Sequence, residues 1–150
     1  MLPQIKNYDE LYRQFRWQIP SDYNIGVDVC DRWAALDSRR VAIVHVHPDG
    51  RHDDITFGWL RETSNRLANA LRAHGVRRGD RVAIVLRTEP AFLDAFFGAW
   101  FAGGVPVPLY PPARLTTIED HMTRHVGILK SAGATIMITI PEAKALAYLL

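Results

Sequence analysis

Hydrophobic and polar positions switch between two periods along this chain, and the switches mark out its elements. Arg81 to Leu86 is a run of β-branched and aliphatic residues of strand length, and Val105 to Leu109 is a second. Between them, Thr88 and Pro90 supply a helix start and Gly103-Gly104 a stop. The intervening residues are apolar nearly all round, with Asp94 alone clearly polar among Phe92, Leu93, Phe96, Phe97, Trp100 and Phe101. A helix of that kind has to be covered on more than one side. Two strands joined by a helical crossover lie parallel and right-handed in one sheet, so the stretch predicts an α/β fold, a parallel sheet with flanking helices.

The rest of the chain fits around that unit. Tyr8, Leu11 and Phe15 predict a short amphipathic helix over Tyr8 to Trp17, ended by Ile19-Pro20, and Val29, Trp33 and Leu36 predict an apolar stripe on a helix from Val27 to Leu36. Val41 to Val46 and Asp54 to Thr56 read as a hairpin, because Pro48-Asp49-Gly50 supplies the fixed φ and the left-handed position such a turn requires. Thr56 caps a helix from Phe57 to about His74, with Leu60, Ser64, Leu67, Ala68 and Leu71 inward and Gly75 at its stop. Tyr110 to Arg114 is a stiff proline link. Thr116 and Glu119 have capping-box spacing for a helix to about Ala132, with Ile118, Met122, Val126 and Leu129 inward. Gly133 stops it, Thr135 to Thr139 is a third strand of the same sheet, and Pro141 opens an apolar helix still in mid-pattern at Leu150, so a truncated C-terminus is expected. Residues 1–40 are read as an N-terminal helical segment and 41–150 as the α/β portion.

Composition narrows the function classes. With 48% hydrophobic and 23% charged residues among 150, the chain is an ordinary folded domain. Its 18 basic and 16 acidic residues are spread along the sequence, and a net charge of +2 gives no footprint for nucleic acid. Met1 to Lys6 lacks the pattern of a signal peptide, and Ala91 to Leu109 carries Asp94, two adjacent glycines and two prolines, so no membrane span is expected and the cytoplasm is the expected compartment. The single cysteine, Cys30, reads as a small core residue rather than a catalytic thiol. His45 and His47 share a strand face with His52 across the turn, and His121 and His125 stand one helical turn apart. The first group lacks a further ligand of recognisable spacing, and Met122 follows His121 where a zinc hydrolase carries glutamate. These histidines are therefore read as exposed edge and helix-flank residues, and no metal ligand is assigned.

Several strings together resemble the acyl-adenylating superfamily of AMP-forming ligases. Ile55-Thr56-Phe57-Gly58-Trp59-Leu60 is similar to its first core motif, continued by Ser64 to Leu71 and Gly79 to Ala83, and Ala99 to Leu109 resembles the second. Tyr23 to Asp28 with Asp31 to Ala34 is similar to the start of short- and medium-chain acyl-CoA synthetases. Pro108 to Leu115, Ile118-Glu119-Asp120 and Gly127-Ile128-Leu129 look more like fatty-acyl-AMP ligases, and the unusual proline string tips the comparison that way.

The resemblance implies the N-terminal part of the large domain of an enzyme that activates a carboxylic acid, here a fatty acid, with ATP and Mg2+ to an acyl adenylate, for transfer to CoA or an acyl carrier protein. The family's Ser/Thr/Gly-rich phosphate loop, ribose-binding acid and late lysine have no counterpart among these residues. No catalytic or cofactor-binding residue is therefore assigned. The 150 residues are expected to be inactive alone, to hold no cofactor tightly, and to have the remainder of their own chain as partner. Two alternatives remain: a non-catalytic α/β module binding a partner chain through its apolar C-terminal helix, and a flavodoxin-like nucleotide binder. The second is disfavoured by Glu89, whose charge at a helix start repels phosphate.

Overall fold

A computed structural model describes residues 7–111 and 118–141. The Thr116–Glu119 capping box, the link from Pro112 onward and the helix expected after Pro141 lie outside the described residues or side chains. A first short helix, α1 (Tyr8–Gln14), is capped by the Asn7 side chain, which accepts from the Asp9 amide, and it buries no residue. It is shorter than the periodicity predicts because Phe15 already adopts extended backbone.

The next segment corrects the expected stripe. A π-helical turn, Val27–Asp31, runs into α2 (Arg32–Leu36), and the Arg32 amide reaches back to the Val27 carbonyl. The buried positions are Gly26, Cys30 and Ala34, whereas Val29 and Leu36 are 38% and 72% exposed. Small side chains let this segment lie close: a Cβ on Gly26 would stand 3.0 Å from the Phe101 ring. Trp33 lies at the flank, with its ring centroid 6.3 Å from that of Phe57 and Arg40 over its face.

The hairpin forms as expected from β1 (Val41–Val46) and β2 (His52–Thr56), antiparallel, with Gly50 at φ 86°. Thr56 then caps α3 (Phe57–Ala73), its hydroxyl accepting from the Trp59 amide at 3.2 Å. Leu60, Ser64, Ala68 and Leu71 face inward, and Gly75 follows at φ 91°. The three-stranded sheet contains β3 (Arg81–Val85), β4 (Val105–Leu109) and β5 (Ala134–Thr139), in the order β4-β3-β5 and parallel throughout. Two helices connect them, α4 (Pro90–Ala102) and α5 (Ile118–Ala132). Glu89 rather than Thr88 is the cap position of α4 and makes no side-chain bond to it. Gly103 ends the helix at φ 87°.

Alternation along β3 sorts the core into two faces. Val82 and Ile84, both fully buried, pack with α3 and α4 through residues that include Leu60, Ala99 and Ala95. Ala83 and Val85 meet Leu129 of α5 and Met137 of β5 on the opposite face. The central strand is thus covered on both sides, as its continuous apolar run requires. Prolines terminate the sheet at β4. The Val105 amide donates to Asp80 at 2.8 Å, so alternation turns Pro106 and Pro108 toward the free edge, where the missing N–H groups leave nothing for a further strand to accept. The outer edge of β5 has no such block among the described residues.

The tightest helix contact is that of α3 with α4. A Cβ on Gly98 would stand 3.1 Å from the Leu67 side chain, whereas one on Gly127, on the exposed side of α5, would meet nothing within 4 Å. Gly98→Val should therefore destabilise the fold by about 1–3 kcal/mol through overpacking. Gly127→Ala should stabilise it by up to about 1 kcal/mol through helix propensity. Urea midpoints moving in opposite directions would bear this out; equal midpoints would not.

Candidate functional site

In an open parallel sheet, ligands settle beyond the carboxyl ends of the strands, where the chain leaves one strand toward opposite sides. Here β3 is that strand, since the chain runs to β4 on one side and returns past it to β5 on the other. The amino-terminal edge is structurally occupied. The Arg72 guanidinium donates to the Phe101 carbonyl at the end of α4, and Arg81 Nε to the Ala132 carbonyl at the end of α5 at 2.7 Å. Cations thereby satisfy the last carbonyls of two helices. Gly79 and Gly103 are joined by a 2.9 Å backbone hydrogen bond, and Arg78 reaches the Ser21 carbonyl at 3.4 Å. A hollow of about 420 Å³ at this edge is lined by Arg72, Arg78, Tyr23 and Trp100, but both arginines point their donors at backbone.

The carboxyl edge carries a different set of groups. Tyr110 follows β4, and its ring centroid lies 5.4 Å from that of His121 and 6.1 Å from that of His125 on α5. The two imidazoles are 4.0 Å apart, and Arg124 Nη1 donates to the Tyr110 hydroxyl at 3.2 Å. The expectation of a partly exposed histidine flank fails for His125, which is only 4% exposed, and holds for His121, which is partly exposed although its Nε2 is buried without a hydrogen-bond partner among the described residues. The inward stripe of α5 contains both histidines with Met122, Val126 and Leu129. Burial lowers the His125 pKa, and nearby His121 and Arg124 add to the effect. His125 is therefore a neutral, desolvated imidazole at neutral pH.

On the central side of this edge, β3 gives way to Arg87, Thr88 and Glu89, all exposed. The phosphates of a nucleotide do not fit here. Pro90 removes one amide from the first turn of α4, and the Glu89 carboxylate stands at the helix end where an anion would otherwise be favoured. Gly103-Gly104 serves as helix stop and strand entry, as expected, and cradles no ligand. Cys30 is fully buried and its pKa is pushed up to about 11 by burial, with Asp31 adding to it, so the inert reading of this thiol holds. Desolvation likewise raises the Asp94 pKa, and one oxygen of Asp94 is buried without a partner among the described residues.

The hairpin brings together a second cluster. His45 and His47 stand with ring centroids 4.5 Å apart, as alternation predicts, and Asp53 joins them with its Oδ2 accepting from His47 Nε2–H at 2.7 Å. His52 does not join. The register pairs His45 with Asp53, which leaves His52 and Asp54 on the other face, 4.0 Å apart. Asp53 was legible in principle, because a fixed turn length determines which residue stands opposite His45.

Comparison with known proteins adds the following. The sequence pattern of the AMP-binding enzyme family matches residues 30–149. An acetyl-coenzyme A synthetase of Bacillus subtilis is 28% identical over 148 residues, covering 92% of this chain and 25% of its own. A feruloyl-CoA synthase of an Amycolatopsis species is 43% identical over 89 residues, 59% of this chain and 16% of its own. A structure solved in studies of fatty acyl-adenylate ligases from E. coli and L. pneumophila superposes with a TM-score of 0.75 at 26% identity, over 85% of this chain and 23% of its own. The chain thus spans a quarter or less of the length of each. Among the described residues no helix is long and apolar enough to cross a membrane.

The buried histidine has a consequence for stability. Its native pKa lies below the ordinary value of 6.5, so the unfolded chain takes up the proton first as pH falls through that value. The contribution to stability is complete above pH 6.5 and is lost as pH drops toward the native value. Urea midpoints measured from pH 7.5 to 5 should fall less in His125→Leu than in the parent protein. Parallel profiles would contradict the burial of His125.

Proposed function

The chain belongs to the AMP-binding enzyme family, and on that premise we propose that it is the framework portion of an AMP-forming ligase, which activates a carboxylic acid with ATP to an acyl adenylate. The observation that carries the reading is where the family's motifs fall. Ile55 to Leu60 forms the end of β2 and the capped start of α3, and Ala99 to Leu109 runs from the end of α4 through β4. Both therefore build the α3–α4 layer and the sheet beneath it. They position an edge and place no reactive group on it.

The division that goes with this reading makes residues 1–40 a leading segment and residues 41–150 the first part of the nucleotide domain; Cys30 and Ala34 of the leading segment are buried in the core. The acid is a fatty acid, a reading supported by the fatty acyl-adenylate ligase fold and by the proline-rich string after β4. The acyl group passes to CoA or a carrier protein. Nucleotide phosphates and their Mg2+ find no fitting donor set at the carboxyl edge among the described residues, so their grip, like the catalytic groups, comes from the remainder of the chain. That remainder joins the sheet beyond β5, since prolines block β4. The enzyme works in the cytoplasm.

Carboxylate-dependent exchange of pyrophosphate into ATP tests this directly. The full polypeptide should catalyse exchange with a long-chain fatty acid, and trapping with hydroxylamine in the presence and absence of CoA should identify the acceptor. Residues 1–150 alone should catalyse none. Exchange by residues 1–150 would place the active site inside the framework, and no exchange by the full polypeptide with any carboxylic acid would remove the reading altogether.

A further inference from the structure

We propose that His45, His47 and Asp53 on the hairpin form a binding site for a divalent transition-metal ion of the zinc type, separate from the sheet edge at which the ligase chemistry is placed. One ligand atom from each of the three side chains lies within 4.8 Å of the other two. A zinc ion with nitrogen and oxygen ligands at about 2.0–2.2 Å needs only small rotamer adjustments to draw such atoms in. Local structure supplies the arrangement without a special loop. Strand alternation puts His45 and His47 on one face of β1, and the cross-strand register puts Asp53 opposite His45.

The backbone beneath is held at both ends. Toward the turn, the His47 amide donates to the Arg51 carbonyl at 2.8 Å and the Gly50 amide to the His47 carbonyl at 2.9 Å. Toward the core, Ile43 pairs with buried Ile55. The His47 side chain is 26% exposed and Asp53 is 65% exposed, so an ion can enter from solvent and keep one or more waters. Asp53 already orients one imidazole by hydrogen bonding, an interaction the ion would replace while the carboxylate offsets part of its charge.

The donor set selects the class of ion. Two imidazoles and one carboxylate suit zinc, copper or nickel, whereas Mg2+ and Ca2+ prefer all-oxygen shells. Bound there, the ion ties β1 to β2 and stiffens a hairpin held by its ladder and by packing on α3. The site does not depend on the ligase reading.

Isothermal titration of the full polypeptide with Zn2+, with Mg2+ as comparison ion, tests the proposal. The parent protein should bind one zinc equivalent that is absent from the His45→Ala/His47→Ala double variant. Single variants at either position should bind it ~10-fold or more weakly. Asp53→Asn should weaken it too, and His47→Gln, which keeps a donor for Asp53, should weaken it as much as His47→Ala does. His52→Ala, on the opposite face, should bind as the parent does. Zinc should also raise the melting temperature of the parent and of His52→Ala but not of the double variant. Equal stoichiometry in parent and double variant, or a loss in His52→Ala as large as in His45→Ala, would overturn the site.

Discussion

The close seating of α4 on α3, with Gly98 against Leu67, is the contact on which the other elements depend. Ala95, Ala99 and Ala102 continue the small-residue side of α4, and α3 presents Ser64 and Ala68, both buried, toward the interior. With small residues on α4 receiving Leu67 of α3, the helices form one layer wide enough to cover β3. That cover lets Val82 and Ile84 be wholly apolar on one face, while α5 does the same for Ala83 and Val85 on the other. Phe101, at the end of α4, also receives Gly26, and so anchors the leading segment to the same core.

Once both faces of the sheet are covered, only its edges are open to ligands. The amino-terminal edge is spent on the ends of α4 and α5, whose carbonyls take up Arg72 and Arg81. The carboxyl edge keeps Tyr110, His121 and His125, an aromatic cluster with one imidazole nitrogen short of a partner among the described residues. A closed, cationic structural edge thus lies opposite an open one, and the proposed framework role rests on that division, with phosphate-binding chemistry supplied by residues elsewhere.

Much of this was legible because it rests on local rules. Hydrophobic period, caps and turn glycines located the hairpin, the three parallel strands and the ends of α3 and α4, and the family's motifs identified the class of enzyme. What escaped rests on packing between distant residues. The stripe Val29, Trp33 and Leu36 follows a regular α-helix, but a π-turn and the need to fit against Phe101 bury Gly26, Cys30 and Ala34 instead. Polarity put His121 and His125 on a flank, whereas packing of α5 against Tyr110 buries His125 and leaves only His121 partly exposed. Asp53 meets the two histidines only through the cross-strand register, which the spacing of residues along one strand does not express.

Native-state hydrogen exchange on the full polypeptide, read by mass spectrometry, tests most directly whether β3 under the α3–α4 layer is the organising core. Amides of Val82 to Val85 and of the facing turns of α3 and α4 should exchange only through global unfolding, while β1, β2 and α1 open locally and far faster. Protection of the hairpin equal to that of β3, or rapid exchange within β3, would contradict the account.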